Sequence, residues 1–298
     1  MIAAALALGL GWAQDAPPEP PPDPCATGDV AGCEQLCMGG NAKACSTAGY
    51  FVEVGQGVPK DLARAAELYR MGCNGGDGRG CGNLGVLYDL GSGVPADVDQ
   101  ALVQYRRGCR VADGASCLNL GIHLATGSGV PVDVARAHQQ YAQACELGEP
   151  RGCNLLGAER EAEEPAEAVT LYGQACEGGH APGCYNLARL VVAGHARLPQ
   201  DDVLRLYETA CDGGELAACL DLGVHLLNGT GIDQDPARAA RYFQDACEGD
   251  LPKGCSLRGA VYLNEGHDAP GFALLELGCS RGDAWGCKVL EELRAAEP

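Results

Sequence analysis

Apolar and polar positions across residues 81–117, CGNLGVLYDLGSGVPADVDQALVQYRRGCRVADGASC, trace two successive helical stripes. At 3.6 residues per turn, Cys81, Leu84, Gly85 and Tyr88 share one face, whereas Asn83 points away from it. Gly91, Ser92 and Gly93 interrupt the pattern, and Pro95 blocks its continuation. Asp97 then stands where a helix N-cap belongs, with Gln100 at the position of a capping-box partner. Ala101, Tyr105 and Cys109 recur every four residues, which predicts a second helix whose last turn ends in Cys. The unit is therefore a helical hairpin, and Cys109 and Cys117 bracket a seven-residue turn into the next one.

The rest of the chain repeats this pattern. The ladder of small, aromatic and Cys positions recurs as Ala65, Tyr69, Cys73; Ala137, Tyr141, Cys145; Ala168, Tyr172, Cys176; and Ala239, Phe243, Cys247. The linking turn GxGVPxD appears at 55–61, 91–97 and 127–133 and weakens to GTGIDQD at 229–235. It is shortened around Glu159 to Glu164 and replaced near Gly194 and Gly266. From Cys37 to Cys279 successive Cys pairs step by 36, 36, 36, 31, 35, 36 and 32 residues, a period that predicts a helical solenoid. The expected fold is all-α, an α/α superhelical solenoid of about seven hairpins over residues 25–298. Residues 25–45 form a compressed N-terminal cap, and the segment KVLEELRAAEP after Cys287 forms a polar last helix.

All eighteen Cys fall in pairs eight residues apart: Cys25 and Cys33, Cys37 and Cys45, Cys73 and Cys81, Cys109 and Cys117, Cys145 and Cys153, Cys176 and Cys184, Cys211 and Cys219, Cys247 and Cys255, Cys279 and Cys287. An even count at fixed spacing points to disulfides, and the isolation of the pairs argues against zinc. The turn between antiparallel helices brings such a pair within bridging reach. Gly76, Gly148, Gly179, Gly214 and Gly282, three residues after the first Cys, ease it. Each small loop closed in this way is worth roughly 2.5 kcal/mol on chain-entropy grounds. The four Cys of the N-terminal cap leave their connectivity open. Residues 1–13, MIAAALALGLGWA, read as a secretory signal peptide too short to span a membrane, and residues 14–24, QDAPPEPPPDP, as an extended acidic spacer. Secretion or a periplasmic location is the expectation.

The stretch CGNLGVLYDLGSGV, followed by the Asp, Ala, Tyr and Cys of the second helix, resembles the Sel-one-like repeat, a relative of the tetratricopeptide repeat. A bridge in every unit would further resemble the secreted, cysteine-rich bacterial branch of that family. The resemblance implies a scaffold that holds protein or peptide partners on the inner surface of the superhelix. It also implies the alternative of a penicillin-binding protein with slow β-lactamase activity. In similar tetratricopeptide units the Asn before Leu-Gly faces the groove and bonds a peptide backbone or carboxylate. Here that position is held by Thr47, Asn83, Asn119, Leu155, Asn186, Asp221 and Leu257. The peptide-binding candidates are accordingly Asn83, Asn119, Asn186 and Asp221, with Leu155 and Leu257 breaking the ladder.

Enzyme signatures are sparse. The chain has no S-x-x-K, S-D-N or K-T-G element, no HExxH and no phosphate-binding G-x-x-x-x-G-K. His123 and His225 occupy equivalent positions in two helices without a second His nearby. No catalytic residue, metal site or cofactor is assigned, and a monomer is expected. The glycines at 85, 121, 157 and 223 suit close helix contacts. A formal charge of −19 repels nucleic acid and anionic membranes, and 5% aromatic residues leave little for a stacking platform.

Overall fold

A computed structural model describes residues 22–230 and 233–296, which are helical with no strand among them. The signal-peptide reading of residues 1–13 and most of the acidic spacer fall outside the described residues. The end of the spacer differs from its expected extended form. Pro24 occupies the first turn of α1 (Pro24–Thr27), and Asp23 caps that helix by accepting from the Cys25 N–H at 2.9 Å.

After α1 and α2 (Val30–Met38) come seven antiparallel hairpins. Their first and second helices are α3 (Ala42–Val54) and α4 (Leu62–Asn74), α5 (Gly78–Leu90) and α6 (Val98–Arg110), α7 (Gly114–Thr126) and α8 (Val134–Glu146), and α9 (Pro150–Arg160) and α10 (Pro165–Glu177). They continue with α11 (Ala181–Val192) and α12 (Gln200–Asp212), α13 (Leu216–Asn228) and α14 (Pro236–Glu248), and α15 (Pro252–Asn264) and α16 (Asp268–Ser280). The closing helix α17 (Ala284–Ala296) starts before Cys287, not after it, so the last bridge lies inside its first turn.

The linking turn works twice. In each full-length copy its Asp accepts a hydrogen bond from the backbone N–H three residues on, with Asp61 to Arg64 at 3.0 Å, Asp97 to Gln100 at 2.9 Å, Asp133 to Arg136 at 3.0 Å and Asp235 to Arg238 at 2.9 Å. The same Asp donates its own N–H back to the first helix, from Asp97 to Tyr88 O at 2.9 Å and from Asp133 to Leu124 O at 2.9 Å. Gln100 therefore does not complete a reciprocal capping box, because the N–H it would serve is already taken.

Packing centres on the small and aromatic ladder. Ala65, Ala101, Ala137, Ala168 and Ala239 are fully buried, as are the rings of Tyr69, Tyr105, Tyr172 and Phe243. Each ring packs directly against a glycine of the facing first helix. A Cβ on Gly85 would sit 2.6 Å from Tyr105 Cε1, and one on Gly223 would sit 2.5 Å from Phe243 Cε1. The expected close contacts at 85, 121, 157 and 223 are all present, and Gly49 against Tyr69 adds a fifth.

Nine disulfides join every pair of Cys eight apart, including Cys25–Cys33 and Cys37–Cys45 in the N-terminal cap. From Cys73–Cys81 onward each bridge ties the second helix of one hairpin to the first helix of the next unit. The residue three after the first Cys has positive φ throughout: 93° at Gly76, 79° at Gly148, 84° at Gly179, 89° at Gly214 and 100° at Gly282. Two copies meet this left-handed requirement without glycine, Ala112 at 64° and Asp250 at 67°.

Candidate peptide-binding face

First helices of consecutive hairpins touch one another, as α3 does α5, α5 does α7, α7 does α9 and α9 does α11, and no pair of consecutive second helices meets to the same extent. From α3 to α11 the layer of first helices is thus the tighter one. On α5 the side that holds Asn83 carries Arg79, Asn83, Val86 and Leu90, spaced by four, three and four residues, of which Arg79 and Leu90 are exposed and Val86 packs partly against the core of the next hairpin. On α3 the equivalent positions are Lys43, Thr47, Tyr50 and Val54.

These two helices enclose an open groove of about 310 Å³ lined by Ser46, Thr47, Tyr50, Arg79 and Asn83. Tyr50 is 51% exposed, so the groove offers an aromatic face to solvent. Arg79 is exposed and makes no ion pair among the described residues. Thr47 donates its hydroxyl to Lys43 O at 2.9 Å. Asn83 stands half-buried beside the Tyr69 phenol, which donates to the Glu53 carboxylate. Burial, reinforced by Glu53, holds that phenol neutral far above the usual tyrosine range.

The other candidates sit apart from this groove. Asn119 is half-buried on α7. Asn186 on α11 donates to Asn154 Oδ1 at 2.9 Å, a bond between neighbouring first helices that engages its amide. Asp221 on α13 lies among Tyr185, His225 and Lys253, and burial raises its carboxyl above the ordinary value against the opposing pull of Tyr185, His225 and Lys253. Burial and the Asp221 charge in turn push the Tyr207 phenol up to about 12. The structure therefore brings Thr47 and Asn83 together in one groove and leaves Asn119, Asn186 and Asp221 at separate points of the same layer. Sequence reasoning missed Tyr50 and Arg79, whose signal was present: Arg79 lies one turn before Asn83, and Tyr50 is an aromatic on the polar side of α3.

Among the described residues no group of His, Cys, Asp and Glu could hold a metal ion, and no helix is long and apolar enough to cross a membrane. Ser116 and Ser256 are buried and wedged against glycines of adjacent helices, so their hydroxyls are not presented to a ligand.

The model of the Sel1 repeat matches residues 42–77, 79–110, 114–149, 153–180 and 216–251. Curated protein sequences give no significant match. Among solved structures, a protective antigen of uropathogenic Escherichia coli displaying an SLR fold superposes with a TM-score of 0.76 at 22% identity over 89% of this chain and 59% of that one. This chain thus spans well under two thirds of the E. coli protein's length. A Sel1 repeat protein from Oxalobacter formigenes superposes with a TM-score of 0.62 at 23% identity, covering 76% of this chain and 97% of that one. At these identities the likeness speaks for the fold alone, which agrees with the hairpin period, the glycine and aromatic packing and the linking turns. With five copies of the repeat matched across more than half of its length, the chain belongs to the Sel1 repeat family.

Proposed function

We propose that this protein is a secreted or periplasmic scaffold that binds a protein or peptide on the inner face of its first helices, with the groove between α3 and α5 as its principal contact. The observation that carries this reading is the groove's mixed lining. Tyr50 offers a flat apolar surface, and Arg79 a guanidinium suited to a carboxylate. Asn83 supplies both a donor and an acceptor for a peptide backbone. Sel1 repeats generally serve as protein-interaction units, which agrees with such a lining. Asn119 and Asp221 extend the face toward the C-terminal end, whereas Asn186 contributes there by tying α9 to α11. Nine bridges in a chain with no free Cys support an oxidising compartment.

The test is to select peptides from a random displayed library on the oxidised protein and to titrate them against variants. Asn83→Ala and Arg79→Ala are each expected to weaken the selected peptides about tenfold, roughly one charge-assisted or bidentate contact, with the melting temperature unchanged. Failure to select any peptide, or equal affinity for the variants, would overturn the reading.

A further inference from the structure

Two residues before the Cys in their first turns, α3, α5 and α9 carry Lys43, Arg79 and Arg151. All three are exposed, and none makes an ion pair among the described residues. A cation in the first turn opposes the helix dipole, so these charges cost the fold stability instead of adding to it. Taken at the same spacing of four, three and four residues, that side of α3, α5, α7 and α9 holds three cations and no carboxylate. In a chain of 40 acidic and 21 basic residues, such a bias is not the surface average. The acids that start α5, α7 and α9 are Asp77, Asp113 and Glu149. Asp113 and Glu149 accept from backbone N–H groups of their own helices, and Asp77 Oδ2 is buried. On α7 the row passes over Ala115 and the half-buried Asn119, so no bulky side chain separates Arg79 from Arg151. Farther on the sign changes, with Asp221 of α13 beside Lys253.

We propose that the partner of this face is an acidic peptide segment, lying extended across α3, α5, α7 and α9 with its carboxylates on Lys43, Arg79 and Arg151. The acidic ligand presupposes the peptide-binding face of the proposed function and adds its charge and spacing. First helices of consecutive hairpins are neighbours, with axes about 10 Å apart. An extended chain advances about 3.3 Å per residue. The step from Lys43 to Arg79 therefore takes about three residues, and the two steps from Arg79 to Arg151 take about six. Asn83 and Asn119, one turn along from the row, supply donors and acceptors to the backbone between those acids. A net charge of −19 keeps longer polyanions such as nucleic acid away, whereas a short acidic segment meets only the cationic side.

The probe is a fluorescein-labelled ten-residue peptide with Glu at positions 1, 4 and 10 and neutral polar residues elsewhere, made in both chain directions. It is titrated by anisotropy against the full oxidised chain. One direction is expected to bind, to weaken as salt rises, and to lose about fivefold in affinity on Arg151→Glu. Replacing the Glu opposite position 151 by Lys should recover that loss. Arg151 is exposed, and thermal melting of the same samples reports that the fold is kept. Equal binding by a shuffled peptide of the same composition, equal binding by an all-Lys counterpart, or indifference to Arg151→Glu would overturn the proposal. Arg151 lies outside the α3/α5 groove, so the two proposals fail separately. Library-selected peptides that need Asn83 but carry no acids, or that ignore Arg151, would leave the proposed function standing alone.

Discussion

Tyr105 and His123 meet on a single oxygen. The phenol of Tyr105 donates to Asp89 Oδ2 at 2.7 Å, and His123 Nε2 lies 2.8 Å from the same atom. The two rings lie 5.7 Å apart, so three side chains from α5, α6 and α7 lock two hairpins together. Two hairpins further along, Glu161 does the same with the Tyr172 phenol at 2.8 Å and with Arg189. Where the ladder carries Phe243 in place of Tyr, the carboxylate position is Leu227, and neither partner is left polar and alone.

Asp89→Ala strands a buried phenol and an imidazole, and the cost is expected at about 2–3 kcal/mol of stability. Urea denaturation monitored by far-UV circular dichroism measures it, and an unchanged midpoint would contradict the shared-oxygen arrangement.

Ala112 holds φ 64° where seven equivalent turns use glycine. Ala112→Gly is expected to raise stability by about 1 kcal/mol, the left-handed penalty less the entropy of added freedom. Asp250→Gly should gain less, since Asp tolerates that region and its carboxylate lies 3.5 Å from Arg281. Paired thermal melts decide the order of the two.

The Ser256 hydroxyl is buried without a hydrogen-bond partner, pressed between the sites of Gly278 and Gly286. Ser256→Ala keeps the Cβ and removes the unsatisfied group, so a gain of about 1 kcal/mol is expected in the same denaturation assay. A loss would mean that the hydroxyl is bonded after all.

Two carboxylates should bend the pH profile in opposite directions. The Arg189 hydrogen bond, aided by the Tyr172 phenol, depresses Glu161 below its ordinary value of 4.5. Its contribution is therefore complete above about pH 4.5 and is lost as pH falls through the depressed folded value. Burial raises Asp221 above its ordinary value of 3.8, so its ionisation weakens the fold as pH rises through the raised value. Glu161→Gln should flatten the acid side of the stability profile, and Asp221→Asn should raise stability at pH 7. Melting curves from pH 3 to 8 measure both.

The hairpins and their bridges could be read from the chain because they depend on local spacing: glycine and proline at the linking turns, Asp at the caps, and Cys eight apart across one short turn. The aromatic ladder was legible for the same reason, since its residues recur every four positions on one helix face. What each polar side chain does was not. Asn186 looks like Asn83 in its own helix, yet its amide is engaged by Asn154 of the preceding first helix, a contact created only by stacking. Arg79 carried no mark of its own, and its importance comes from Tyr50 and Thr47 one repeat earlier. Gln100 matched the capping-box spacing, but the N–H it would have bonded is used by Tyr88 O of the preceding helix.

Hydrogen exchange of the protein with and without a library-selected peptide tests the location of binding most directly. Protection is expected to rise in α3 and α5, around Thr47, Tyr50, Arg79 and Asn83, and to stay unchanged in the second helices. Protection confined to the second helices, or to the C-terminal hairpins alone, would contradict the assignment of the binding face.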